Sequence, residues 1–172
     1  RDKSRTLWLS KMCEYVGVAV PGASERLALA DETNAYVNRR VRSAFPGAVD
    51  AIRRLHGQGH RLHTSSGKDS DDLDCYLEAM QVRDLFGRLY GPDLVNTAKT
   101  GPVYYERIFD DAQVEPGLAM VVDDSPVAVA WALDAGAIGV LVSSPGSADD
   151  YARPVIGGLA GLPALLDGFA SD

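Results

Sequence analysis

Cysteine is nearly absent from this chain of 172 residues: there are two, Cys13 and Cys75. They stand far apart, with no C-x-x-C or Cys/His spacing. This excludes the disulfide framework of a small secreted domain and a zinc site, and reads as reduced thiols in a cytoplasmic protein. Basic charge is also short, with 17 Lys and Arg against 24 Asp and Glu for a formal net charge of −7. A chain that neutralises many phosphates carries the opposite sign, so nucleic-acid binding is not expected. No stretch reaches the about 18 consecutive apolar residues of a membrane span, and no basic-apolar-small signal pattern opens the chain. Internal repeats and low-complexity tracts are absent. So is an initiator methionine: the sequence opens Arg1-Asp2-Lys3, as a processed or truncated chain does.

What is present is enough for a core. With 46% apolar side chains, a chain of this length buries roughly 70% of its unfolded surface and needs neither disulfide nor structural metal. The texture changes near Phe45-Pro46-Gly47. Before it, residues 1–44 read as helical, with Leu7, Met12 and Val16 on one apolar side and a second helix expected from Ser24 to about Ser43. From residue 45 to 172 helices alternate with short apolar runs, the pattern of βα units on a parallel sheet. Helices are expected after Pro46, from a Ser70 cap through Leu73, Tyr76, Leu77 and Met80, across Tyr105, Ile108, Phe109 and Ala112, and from Ala128 to Ala135 with Gly136 closing it. Tyr104 and Arg107 fall outside the Tyr105/Phe109 stripe and are expected in solvent.

Strands are expected at His60–Thr64, Arg88–Tyr90, Leu118–Val122 and Ile138–Val142. The last two lack polar alternation, as strands buried on both faces of a helix-covered sheet do. His60 and His63, at i and i+3 on a strand, should point to opposite faces and share no metal. The fold class is therefore α/β, a three-layer α/β/α Rossmann-like parallel sheet with a small N-terminal helical cap. Such sheets bind ligands at the carboxyl ends of their strands. The residues there are Thr64-Ser65-Ser66-Gly67 and Asp123-Asp124-Ser125-Pro126.

Each element alone has an ordinary explanation beside a chemical one. Asp123 and Asp124 are adjacent carboxylates at a strand end, where a hard divalent cation such as Mg²⁺ would supply the counter-charge and hold a phosphate; Asp-Asp-Ser-Pro also serves as an Asx turn and helix cap. Thr64, Ser65 and Ser66 offer donors to an anion, but such turns also simply cap helices. Lys99 precedes the Tyr105 helix, where a cation opposes the helix dipole unless an anion joins it; a solvated lysine is the ordinary alternative.

In this order, a hydroxyl ending one strand, a lysine leading into a later helix and an acidic pair ending the next strand resemble motifs two, three and four of the haloacid dehalogenase superfamily. The resemblance covers residues 45 to 143. It extends through Phe45-Pro-Gly-Ala-Val-Asp-Ala-Ile-Arg-Arg-Leu-His-Gly-Gln-Gly-His, through Leu85-Phe-Gly-Arg-Leu-Tyr-Gly, and through Ala132 to Ala137. It implies a Mg²⁺-dependent phosphomonoester hydrolase acting on a small phosphorylated metabolite through an aspartyl-phosphate. Thr64 would donate to a phosphoryl oxygen, with Ser65 beside it, and Lys99 would neutralise the nucleophile and the transferring group. Asp124 would bind the metal, with Asp123 a second ligand or acting through water. Residues 1–44 would form the cap, short enough to leave the site open or to let another subunit complete it in a homodimer. A metal-independent dehalogenase and a catalytically inactive binding module are the alternatives; the acidic pair speaks against the former.

The family's first motif, an apolar strand ending Asp-x-Asp-x-Thr with the first aspartate the nucleophile, has no counterpart here. Asp2-x-Ser4-x-Thr6 lacks the preceding apolar run, so the nucleophile is expected upstream of Arg1, and without it covalent turnover would be lost. In that family the first strand lies between those ending at Thr64 and Asp123. Removing it would leave two rows of backbone donors and acceptors unpaired, at about 1–3 kcal/mol each. Either a strand from another segment or chain, or direct pairing of the two strands, is therefore expected.

Overall fold

A computed structural model describes residues 2–143 and 154–169. Its first part is helical. α1 (Asp2–Val16) and α2 (Ala23–Asn38) pack against each other through buried Leu9, Cys13 and Ala30. The Asp2–Leu7 segment thus belongs to a helix rather than to a strand. α2 stops before Ser43, and the following segment is drawn towards the rest of the molecule by Arg42, whose Nε donates to the Ala79 carbonyl at 3.1 Å.

The remainder alternates as parallel βα units do. In order come α3 (Ala48–Gly57), β1 (Leu62–Ser65), α4 (Ser70–Ala79), β2 (Phe86–Tyr90), α5 (Pro92–Val95), α6 (Pro102–Ala112), β3 (Met120–Asp123), α7 (Pro126–Asp134), β4 (Ile138–Val142), β5 (Val155–Ile156) and α8 (Leu162–Phe169). All described strand pairs are parallel. Two apolar clusters hold the layers. Leu77, Val82 and Leu89 join α4 to β2, while Tyr90, Tyr105, Ile108, Phe109, Val121 and Ala132 join the strands to α6 and α7.

β1 begins later than the strand expected at His60–Thr64 because the His60 N–H closes the end of α3, donating to the Leu55 carbonyl at 3.1 Å. Ser70 does not cap α4. The cap position belongs to Asp69, and the Asp93 carboxylate reaches across from α5 to take the Ser70 N–H at 2.9 Å and the Ser70 hydroxyl. Tyr104, expected in solvent, is buried at 1% exposure. Ser125 does cap α7, accepting the Ala128 N–H at 3.3 Å.

Among the described residues the sheet is in two pieces: β1 pairs with β2, and β3 with β4 and β4 with β5 form a second sheet. Among the described residues β1 and β3 do not pair directly, which corrects one of the two arrangements expected; the other, a strand from another segment or chain, lies outside the described residues. The burial follows: β4 is buried along its centre, whereas β1 is half-buried throughout and β3 along most of its length, because each of the latter keeps one edge without a strand neighbour among the described residues.

Candidate active site at the facing strand ends

The carboxyl ends of β1 and β3 are joined by one side chain. Lys99 lies in the turn after α5, and its Nζ donates to the Ser65 carbonyl at 2.7 Å and to Asp123 Oδ2 at 2.5 Å. Both ends of the ion pair are largely withdrawn from water, with 13% and 11% of their side chains exposed. The helix that starts beyond Lys99 would repel a bare cation, and Asp123 supplies the compensating charge. The other Asp123 oxygen accepts the Ser125 N–H at 2.8 Å, so each carboxylate oxygen has one fixed donor.

The predicted residues separate into two groups. Ser65, Lys99 and Asp123 are brought together. Asp124 is exposed at the same strand end and makes no hydrogen bond or ion pair among the described residues. Thr64 turns away from Lys99, its hydroxyl donating to the Tyr90 carbonyl at 3.2 Å. The Ser65 hydroxyl has no partner among the described residues. At the end of β1, then, the hydroxyl left open is that of Ser65.

The loop beyond β1 is held by residues that sequence spacing did not single out. The Tyr104 hydroxyl donates to the Ser66 carbonyl at 2.8 Å and to the Tyr90 carbonyl at 3.1 Å, and the Ser66 N–H also reaches Tyr90 O at 3.0 Å. Burial pushes the Tyr104 phenol well above its ordinary pKa and keeps it a donor. Gly91 permits the loop after β1 to approach the end of β2 closely, since a Cβ there would stand 2.1 Å from the Lys68 carbonyl oxygen. Further along, Asp72 accepts from Asn34 Nδ2 at 2.6 Å and Asn38 Nδ2 at 3.0 Å, and lies 3.7 Å from the Arg5 guanidinium. The segment after the loop is thereby tied to α1 and α2. The only sequence signals for these contacts are a Tyr-Tyr pair opening α6 and asparagines one helical turn apart in α2.

Asp123 and Asp124 offer hard carboxylate oxygens, and a protein commonly gives Mg²⁺ one or two of these, with water and substrate phosphate completing the shell. No group of three or more His, Cys, Asp or Glu side chains able to hold a metal occurs among the described residues. The donors present therefore suit part of a Mg²⁺ shell, with Asp124 the freer ligand because Asp123 is committed to Lys99 and Ser125.

The site is thus a lysine and an acidic pair at strand ends of a parallel α/β fold. The profile of haloacid dehalogenase-like hydrolases matches residues 4–136, and the chain belongs to that family. It is 33% identical over 129 residues to the phosphoglycolate phosphatase of Rhodospirillum rubrum, an alignment covering 75% of this chain and 51% of that protein. The chain thus spans about half the length of this curated relative. Its fold is similar to that of the L-2-haloacid dehalogenase of Xanthobacter autotrophicus, with a TM-score of 0.70 at 18% identity over 95% of this chain and 74% of that one. It is also similar to a phosphatase of the same superfamily from Thermococcus onnurineus, with a TM-score of 0.67 at 19% identity over 95% and 88%. No helix among the described residues is long and apolar enough to cross a membrane.

Proposed function

We propose that the protein is a Mg²⁺-dependent phosphomonoester hydrolase acting on a small phosphorylated metabolite, with phosphoglycolate the first substrate to test in view of the relative's name. The observation that carries this reading is Lys99, fixed between the Ser65 carbonyl at the end of β1 and Asp123 at the end of β3, two strands that do not pair with each other among the described residues. An aspartate at the end of a strand lying between β1 and β3 would meet Lys99, and its carboxylate would attack phosphorus. The ester oxygen would leave, and water would then hydrolyse the aspartyl-phosphate. Ser65 and Thr64 would donate to phosphoryl oxygens, Thr64 after releasing the Tyr90 carbonyl, which keeps the Ser66 N–H and the Tyr104 hydroxyl. Bound through Asp124 and Asp123, Mg²⁺ would supply positive charge to the transferring phosphoryl group. Residues 1–44, hung on Asp72, would act as the cap that shapes substrate access.

The dehalogenase reading shares the scaffold and the nucleophile. It leaves Asp124 without a task, because displacement of a halide leaves no phosphate to clamp. The deciding experiment measures phosphate release from p-nitrophenyl phosphate and phosphoglycolate by the intact protein, with Mg²⁺ and with EDTA, alongside chloride release from 2-chloropropionate. Metal-dependent phosphate release is expected. Chloride release that survives EDTA, or no turnover from a chain that carries the aspartate strand, would overturn it.

A further inference from the structure

At the leading edges of β1 and β2, opposite the end that carries Lys99, lies a cavity of about 580 Å³. The chain has three histidines, and all three line it: His56 from the end of α3, His60 from the following turn and His63 from β1. Arg61, Arg88 and Asp84 complete its charged wall. His60 and His63 thus share one cavity instead of pointing to opposite sides, because His60 lies in the turn before β1 rather than in the strand.

The strands are irregular at this place. The register between β1 and β2 slips between Leu62 and Thr64, so that Leu62 faces Phe86 while Thr64 faces Leu89. A bulge of this kind is rare in a parallel pair and re-aims the side chains beside it. Gly87 sits within the slip, where a Cβ would come 3.0 Å from His63 Cε1. A glycine inside a strand weakens it and marks a position where something approaches closely. The Arg88 N–H donates to His63 Nδ1 at 3.0 Å, which leaves Nε2 to carry the proton of the neutral ring.

We propose that this cavity is an oxyanion site, taking a phosphate group, free or esterified, between the imidazoles of His56, His60 and His63 and the guanidinium groups of Arg61 and Arg88. Its volume lies in the range of small-molecule sites and exceeds what bare phosphate needs, which favours an organic phosphomonoester over the free ion. Arg61 has no carboxylate partner among the described residues; its guanidinium donates to the Ala112 carbonyl at 3.2 Å. Arg88 is shared with Asp111, 3.2 Å away, and Asp111 also accepts the Tyr90 hydroxyl at 2.7 Å. With neutral imidazoles, two arginines face Asp84 and Asp111 and the local charge balances. Protonation of the histidines tips it positive, so the oxyanion binds together with protons. Burial and the two arginines lower the pKa of His63.

Because all three histidines line the cavity, their Cε1–H signals in proton–carbon NMR spectra of the full chain report on the whole site. The probes are inorganic phosphate and glycerol phosphate, titrated at pH 6 and pH 8 against chloride at equal ionic strength. Expected are saturable shifts of the His56 and His60 signals and affinity about tenfold weaker at pH 8. Arg61→Gln, at an exposed position, should weaken binding by about tenfold or more. Tighter binding of glycerol phosphate identifies an esterified ligand, and equal affinity identifies the phosphate group alone. Shifts no larger than those in chloride, shifts confined to His63 (two residues from Ser65), or shifts indifferent to Arg61→Gln would overturn the assignment.

Discussion

Lys99→Met removes the ammonium that Asp123 shares with the Ser65 carbonyl, and leaves that carboxylate at 11% exposure with the Ser125 N–H as its remaining donor. Taking one partner from a buried pair costs about 3–5 kcal/mol, because the other charge stays desolvated. The lower part of that range applies here, since neither side chain is fully enclosed. Asp123→Asn strands less: Lys99 keeps the Ser65 carbonyl, and the amide oxygen can still accept from Ser125. That change is expected to cost about 1–2 kcal/mol. In the double variant no charge is left uncompensated, so its loss should fall short of the sum by about 2 kcal/mol, a coupling of the size found for residues in direct contact. Urea unfolding of the four proteins at one pH measures this, provided the slope is unchanged and different probes agree on the transition. Losses that add to within about 0.5 kcal/mol would show that the two charges do not stabilise each other, and the bridging role of Lys99 would fall with that result.

The two adjacent tyrosines of α6 should respond oppositely to loss of the hydroxyl. Tyr104→Phe deprives the Ser66 and Tyr90 carbonyls of a donor and is expected to cost about 1–2 kcal/mol and to speed amide exchange at Ser66, whereas the fully buried Tyr105 hydroxyl has no partner among the described residues, so that Tyr105→Phe should be neutral or stabilising. Equal losses for both in urea unfolding would contradict the hydrogen-bond assignment. Burial, Arg61 and Arg88 depress the pKa of His63 in the folded protein, so the unfolded chain binds the proton more readily. The resulting stabilisation is present above the unfolded pKa of about 6.5 and is lost as pH falls through the folded value. His63→Gln should flatten the decline in unfolding midpoint from pH 7 to pH 5 in chloride buffer, and an unchanged decline would assign it to other groups.

The helices and strands that could be read in the sequence are those whose reasons are local. Ile138–Val142 is a strand with the expected bounds because its centre is buried and nothing competes for its backbone. α6 follows its apolar spacing for the same reason. What escaped depends on distant partners: Tyr104 is buried because the loop after β1 and the end of β2 both bring carbonyls to its hydroxyl. The cap role expected of Ser70 passes to Asp93, which arrives from another βα unit. β5 has two residues and no pattern to read. At the site, residue type and order brought out Lys99 and the acidic pair. They did not distinguish the tied hydroxyl of Thr64 from the open one of Ser65, since either chemistry suits a strand end.

The edges of β1 and β3 that have no strand neighbour among the described residues make a further prediction that does not depend on enzymatic turnover. Neighbouring strands lie about 4.8 Å apart, so one strand paired to both β1 and β3 would hold those strands about 10 Å from each other. Its own backbone would satisfy both rows of donors and acceptors, and its last residue would arrive beside Lys99. A peptide of five or six alternating Val and Leu residues ending in aspartate should therefore add to the sheet, as extended segments do at exposed edges. Main-chain pairing would supply most of the affinity, while the terminal aspartate would add a charge-assisted bond to Lys99 worth about 1.5–3 kcal/mol. Binding to the folded state alone raises the unfolding free energy by about 2.7 kcal/mol when the peptide is present at 100 times its dissociation constant. Thermal unfolding with this peptide, with an asparagine-ended version and with one carrying a central proline separates the contributions. The proline version should not bind because it loses ladder donors, and the asparagine version should bind about tenfold more weakly. Equal shifts with all three peptides would mean that they cover apolar surface without pairing, and that β1 and β3 are not arranged to receive a strand between them.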